Sequence, residues 1–396
     1  MAEQPDIVRS AQKKRLAVFL DGTWNVVGDD TNVWRMKSLC APADAQRVPQ
    51  LAYYEKGVSG LLGGLFGKGV DVLITDAYQW LVDHYDPGDQ IFIFGFSRGA
   101  YTARSLAGFI AKCGLLKSGG ALGVTQLYKR YRRRDARTIW ALLDAQANGT
   151  LTDATLEELL MLKYAMAVRI KLVGIWDTVG DTGIPLFAYE GVRFWSPLGF
   201  LTTGLRVPIE NGCHALAVDE HRRAFSPTLW TIRHHENPDP DAPPPRPLSS
   251  VEQRWFVGAH ANVGGGYESD LLPQIPLRWM MKKASLHGLA FRNDVDLDGD
   301  ELAAPVADSY RSFMYGAYRL VSRPYFRPIG TPPVQTPGGM EFNVNETIDA
   351  SVFARWNNVT SYRPPNLADW AGRHHADITG LTRSVLADDP SVAAPD

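Results

Sequence analysis

The chain has 396 residues, enough to bury a full core as one large α/β domain or as two ordinary ones. Its 45% hydrophobic and 21% charged residues exclude a disordered or collagen-like chain, and a net charge of -2 gives no global field for nucleic acid or an anionic membrane. Cys40, Cys113 and Cys213 are too few and too scattered for a disulfide framework or a thiolate metal cage, and they read as reduced thiols of a chain folded in a cytosol.

Residues 1–14 form a polar, acid-bearing extension that is no secretory signal, so the chain is expected to be cytoplasmic at synthesis, with export open only to a system that needs no cleaved signal. No apolar run reaches the ~18–20 residues needed to span a bilayer. A catalytic domain is expected over residues 15–290. Its first buried strand is residues 15–20, ending in the loop Asp21-Gly22-Thr23-Trp24-Asn25. A short helix capped by Asp30 or Thr31 covers residues 32–39, and residues 50–56 make a second strand. Residues 57–69 are too rich in glycine for a helix and read as an irregular loop with an apolar side at residues 61–66. A helix over residues 71–85 stops at Asp86-Pro87-Gly88, and the apolar run Ile91-Phe92-Ile93-Phe94 is the next strand.

That strand tips through Gly95-Phe96-Ser97-Arg98-Gly99 into a helical run over residues 101–112. Glycines flanking the serine let a tight strand-to-helix turn lift it out of the backbone, which is the nucleophile-elbow pattern. Further on, the basic run Lys129 to Arg134 reads as a solvated helix face or a contact for phosphate headgroups, and residues 155–166 as another helix. Residues 171–176 form a buried strand that delivers Asp177 at its C-terminal end. The apolar, Gly- and Pro-broken stretch that follows, with Phe187, Phe194, Trp195 and Phe200, suits a lid-like insertion against acyl chains, or ordinary packing. Residues 214–225 read as a helix, residues 236–247 as an exposed loop, and residues 251–257 as a strand leading into Gly258-Ala259-His260-Ala261-Asn262. A helix follows over residues 275–286, and residues 291–396 read as an irregular C-terminal extension packed on the same domain. Alternating strands and helices predict an α/β fold with a mainly parallel sheet, helices on both faces, and reactive groups at the strands' C-terminal ends.

A serine hydroxyl needs a base within hydrogen-bond reach and a third group to hold that base. His260, on a loop of small residues after a late strand, fits the base better than the other eight histidines. Asp177 fits the orienting acid, with Asp219 in reserve, and the order Ser97, Asp177, His260 is that of α/β-hydrolases. The Arg98 amide and an amide of Gly22 or Thr23 are the expected oxyanion donors, with Asp21 available to orient that loop. Nothing in this chemistry calls for a metal or an organic cofactor.

Several motifs, taken in order, make the resemblance specific: Leu20-Asp21-Gly22-Thr23-Trp24-Asn25, Tyr85-Asp86-Pro87-Gly88-Asp89, Gly95 to Arg104, Gly174-Ile175-Trp176-Asp177-Thr178-Val179-Gly180, Ala217-Val218-Asp219-Glu220, and Gly258 to Tyr267. Together they resemble the uncharacterised α/β-hydrolase domain of bacteria and fungi that includes the first group of type VI secretion lipase effectors. The resemblance implies a serine esterase or phospholipase A acting on membrane glycerophospholipids, with Ser97 as nucleophile and His260 and Asp177 as base and orienter. It further implies transient contact with a membrane surface and, in an effector, a secretion-apparatus component or an immunity protein as partner; it implies no nucleic acid. Two rivals stay open: an esterase or thioesterase for small soluble or polymeric esters, and a non-catalytic binding protein on the same fold.

Overall fold

The computed structural model describes residues 13–22, 30–57, 68–179, 208–235, 246–268, 270–320, 322–336 and 339–395. The strands in chain order are β1 (Arg15–Leu20), β2 (Gln50–Glu55), β3 (Gln90–Phe96), β4 (Leu115–Leu116), β5 (Ala165–Met166), β6 (Ile170–Trp176) and β7 (Ile209–Ala217). They continue with β8 (Thr231–His235), β9 (Val251–Phe256), β10 (Val334–Thr336), β11 (Gly339–Asn343), β12 (Glu346–Ile348) and β13 (Val385–Leu386). Eight of them form one sheet in the order β13-β12-β9-β7-β6-β3-β1-β2, parallel throughout except for β13 at one edge. The chain runs from β1 to β2 on one side and then returns to β3 on the other side of β1, so the strand order reverses beside β1. In such sheets the crevice for a ligand opens beyond the C-terminal strand ends at that reversal.

The helices in chain order are α1 (Asn32–Leu39), α2 (Lys68–His84), α3 (Arg98–Cys113), α4 (Val124–Tyr131), α5 (Ile139–Ala147), α6 (Leu156–Tyr164), α7 (His260–Gly264), α8 (Gln274–Leu286), α9 (Ser309–Ser312), α10 (Ala350–Asn358) and α11 (Pro365–His374). Both faces of the sheet are covered, as strands with near-continuous apolar runs require. Leu16, Val18, Leu20, Ile91, Ile93, Val173 and Ile175 point to the face packed by α2 (Lys68–His84) and α3 (Arg98–Cys113). Ala17, Phe19, Phe92, Phe94 and Leu172 point to the opposite face, against α1 (Asn32–Leu39) and α8 (Gln274–Leu286). Thr31 caps α1 by accepting from the Trp34 amide, as its sequence position predicts. A mostly parallel sheet with helices on both faces gives the chain an α/β-hydrolase-like fold.

Two stretches differ from their sequence reading. Residues 214–217, expected in a helix, belong to β7, a central strand in which Cys213, His214, Ala215, Leu216 and Ala217 are all buried. A histidine among apolar residues and acids just downstream hide the strand pattern; the ring is accommodated because its nitrogens find partners inside the fold. The C-terminal extension is less irregular than expected, since it supplies β12, which pairs with β9, and the helices α10 (Ala350–Asn358) and α11 (Pro365–His374). Val352, Phe353, Leu367 and Trp370 from these helices bury Leu216, Trp255 and Ile348 of the sheet. The basic run also turns inward at Arg130, which is buried against Glu157 and Glu158 at 3.0 and 3.1 Å, while Arg132 pairs with Asp71 and Arg133 with Glu157.

Candidate active site

Ser97, Asp177 and His260 follow β3, β6 and β9 in one parallel sheet, so all three emerge at the same sheet edge. Ser97 sits at the turn into α3 with φ 57° and ψ -121°, a backbone state that ordinary residues avoid. The flanking glycines explain how the turn fits. A Cβ on Gly95 would lie 2.4 Å from the Gly99 carbonyl oxygen, and one on Gly99 would lie 2.2 Å from the Leu20 carbonyl oxygen. The elbow is therefore wedged against the end of β1, and only glycine fits at either position.

The Ser97 Oγ stands 2.8 Å from His260 Nε2, and His260 Nδ1 stands 2.5 Å from Asp177 Oδ2. Asp177 is fully buried, in a left-handed conformation with φ 40°. Burial pushes its carboxyl up, but the Arg327 guanidinium and the His260 ring outweigh burial and hold it well below the usual carboxylate range. An ionised Asp177 can only accept, so Nδ1 of His260 carries the hydrogen and, in the neutral ring, Nε2 faces the serine as an acceptor. The imidazole is packed by the Phe96 ring at 4.7 Å and edge-on by Phe225 at 5.1 Å.

Sequence reasoning does not find Arg327. Its side chain is wholly buried and clamps both Asp177 oxygens, Nη1 to Oδ1 at 2.6 Å and Nη2 to Oδ2 at 3.0 Å. The same guanidinium donates to the Ala217 carbonyl at 2.9 Å and to that of Phe225. The only local signal is an arginine in the aromatic run Pro324-Tyr325-Phe326-Arg327, 150 residues from its partner.

Other buried polar groups hold the loops that carry the three residues. Asp219, the reserve acid, is not the partner of His260 Nδ1; it accepts from the Gly258 amide at 2.8 Å and the Tyr362 hydroxyl at 3.0 Å, and burial pushes its carboxyl up. Glu220 accepts from the His260 amide at 3.2 Å and from Ser309 at 2.9 Å while paired with Arg222. His214 accepts at Nε2 from the Thr178 amide at 3.1 Å, and burial together with the Arg104 guanidinium pushes its ring down to about 3. It is a neutral, structural histidine beneath Asp177.

Asp21 holds the loop after β1. Its carboxylate accepts from Thr31 at 2.6 Å, Tyr54 at 2.9 Å and the Gly22 amide at 2.7 Å. The Gly22 amide, one of two candidates for the second oxyanion donor, is thus turned to Asp21. Thr23, the other, lies outside the described residues, as do Phe187, Phe194, Trp195, Phe200 and the apolar loop at residues 61–66. Arg98 opens α3 directly after Ser97, which puts its amide at the helix N-terminus beside the serine. Among the described residues, no cluster of three or more His, Cys, Asp or Glu side chains is arranged to hold a metal ion.

Comparison with known proteins gives the site a context. A family model for the T6SS phospholipase effector Tle1-like catalytic domain matches residues 14–283, a span that holds Ser97, Asp177 and His260 and stops before Arg327. The uncharacterized protein YEL023C of Saccharomyces cerevisiae is 26% identical over 305 residues, 71% of this chain and 41% of that protein. Among solved structures, an uncharacterized protein from Pseudomonas aeruginosa is 15% identical with a TM-score of 0.44, over 78% of this chain and 51% of that one. The Tle1 effector bound to the VgrG spike of the Type 6 secretion system is 17% identical with a TM-score of 0.31, over 66% and 52%. This chain therefore spans about half the length, or less, of these relatives. By the family match, which covers more than half of its residues, the chain belongs to the Tle1-like phospholipase effector catalytic domain family.

Proposed function

We propose that this chain is a serine hydrolase that cleaves carboxylic esters of membrane phospholipids, in the manner of a phospholipase A, through Ser97, His260 and Asp177. The observation that carries the reading is the continuous chain of contacts from Ser97 Oγ to His260 Nε2 and from His260 Nδ1 to Asp177, at 2.8 and 2.5 Å. Family membership supports a lipid ester as the substrate class.

In this reading Ser97 Oγ attacks the ester carbonyl as His260 Nε2 takes its proton, and Asp177 stabilises the resulting imidazolium. The Arg98 amide and the α3 N-terminus face the negative charge that develops on the carbonyl oxygen. His260 returns the proton to the departing lysophospholipid alcohol, leaving an acyl group on Ser97. Water, deprotonated by His260, then attacks the acyl-enzyme and releases the fatty acid. No step calls on a metal or organic cofactor. Membership of an effector family also makes a secretion spike component the partner class we propose.

The direct test is fatty-acid and lysophospholipid release from phospholipid vesicles by wild type, Ser97→Ala and His260→Ala. The reading expects release by wild type only, with both products in equal amounts. Release of a phosphorylated headgroup, or equal turnover by folded Ser97→Ala, would overturn it.

A further inference from the structure

Residues 309–327 carry Arg311, Arg319, Arg323 and Arg327, with Tyr, Phe, Met and Leu between them, and no acidic residue occurs between Asp308 and Glu341. The structure separates these residues into two sets. Arg327 points inward to Asp177, and Phe313 and Tyr318 pack inward as well. The other set faces solvent: Tyr315 is fully exposed, Leu320 is 87% exposed and Phe326 is 42% exposed. Single exposed apolar residues are ordinary, but three on one short segment form a patch that a soluble surface normally avoids.

The charges around this patch are predominantly positive, with Asp308 sharing the groove and offsetting Arg311. Arg311, Arg319 and Arg323 are exposed, and among the described residues only Arg311 has an ion pair, with Asp308 at 3.3 Å. Arg311, Arg319, Tyr315, Leu320 and Phe326 line one open groove. The segment is also fixed to the reactive centre. Phe313 meets the Phe225 ring at 5.7 Å, Phe225 meets His260 at 5.1 Å, and Arg222 lies over both phenylalanine rings. The Tyr325 amide donates to the His221 carbonyl at 2.9 Å, two residues before Arg327 reaches Asp177.

We propose that this edge, with Tyr315, Leu320 and Phe326 inserted and Arg311, Arg319 and Arg323 at headgroup level, is where the protein seats on an anionic phospholipid bilayer. Aromatic and aliphatic side chains flanked by arginines suit the boundary between acyl chains and headgroups. The chain's overall charge of -2 gives no such attraction, so the local excess of arginine has to supply it. Because the segment packs on Phe225, which packs on His260, and ends at Arg327 on Asp177, seating it would bring lipid esters to the same sheet edge as Ser97. The proposal rests on the lipid-ester reading above, and its test separates the two.

Binding is measured by co-sedimentation of the Ser97→Ala protein with phosphatidylcholine vesicles and with vesicles containing phosphatidylglycerol, so that turnover plays no part. The expected result is preference for the anionic vesicles that weakens with salt. Added to that protein, Tyr315→Ser with Leu320→Ser should weaken binding at least tenfold, and Arg319→Glu with Arg323→Glu should abolish the preference, each charge counting for about fivefold. In the protein that keeps Ser97, the same surface substitutions should leave hydrolysis of a soluble short-chain ester within twofold. Unchanged vesicle binding by both double variants would overturn the proposal. Absence of soluble-ester hydrolysis in wild type would instead count against the catalytic reading, while the sedimentation result still decides the docking surface.

Discussion

Replacing Arg327 with methionine, a side chain of similar reach, removes a guanidinium that supplies two of the four hydrogen-bond contacts to Asp177 among the described residues, the others coming from His260 and the Ala217 amide. Asp177 is then left buried with no cation permanently beside it. Removing one member of such a pair costs about 3–5 kcal/mol. The pH dependence has a definite sign. In wild type the Asp177 carboxyl is held low, so its contribution to stability is fully present above the ordinary carboxylate range and is lost only as pH falls through that lower folded value. Without Arg327, burial is opposed by His260 alone among these groups, so the carboxyl rises from its wild-type value and the stability it contributes at neutral pH shrinks. The variant's stability deficit should therefore be smaller near pH 4 than at pH 7. His260, His214 and the Glu220–Arg222 pair also surround this group and are unchanged in the variant.

The same substitution should lower kcat/KM about 100-fold, the scale of a misplacement of about 1 Å in a catalytic group. Its acidic limb should move to higher pH as Asp177 protonates more readily. Arg327→Lys restores a charge but cannot bridge both carboxylate oxygens and two carbonyls, so it should recover stability better than activity. The assays are urea unfolding at pH 4.5 and 7 and ester hydrolysis across that range. Folded Arg327→Met with kcat/KM within threefold of wild type and an unmoved acidic limb would refute the reasoning.

Other consequences are equally direct. Gly99→Ala places a methyl 2.2 Å from the Leu20 carbonyl oxygen, so it should cost about 1–3 kcal/mol or more and remove activity, as read by thermal unfolding and ester hydrolysis. His214, pushed down to about 3, should stay neutral in the folded protein, and its ring signal should not move in an NMR titration from pH 8 to 5. Since the unfolded ring titrates near 6.5, stability should fall below that pH by up to about 1.4 kcal/mol per unit on this account, and His214→Gln should remove that component. Ending the chain at residue 290 deletes β12, α10, α11 and Arg327 together, so the product should be recovered unfolded or inactive; a folded, fully active truncation would contradict the role given to this segment.

What could be read from the sequence was what short-range pattern encodes. The apolar runs at residues 15–20, 90–96 and 170–176 are strands because parallel sheets covered on both faces demand continuous hydrophobic stretches. Gly95 and Gly99 marked the elbow because its geometry leaves no room for a side chain, and Asp177 and His260 were visible as polar residues at strand ends. The hidden parts depend on distant partners. His214 disguised a central strand because its polarity is satisfied by the Thr178 amide and by Gln253, which no local pattern announces. Arg327 is 150 residues from Asp177, and Arg130 turns inward only because α6 (Leu156–Tyr164) brings Glu157 and Glu158 to it. Gly22 satisfies the need for a small residue after β1, yet its amide is captured by the neighbouring Asp21 carboxylate, a choice the sequence leaves open.

The measurement closest to the central claim is mass mapping of a fluorophosphonate adduct on wild type, Ser97→Ala, His260→Ala and Asp177→Asn, each verified as folded. The account predicts one adduct, on Ser97, formed in wild type, slowed by orders of magnitude in His260→Ala and Asp177→Asn, and absent from Ser97→Ala. No adduct on folded wild type, or an adduct on another residue that persists in Ser97→Ala, would contradict it.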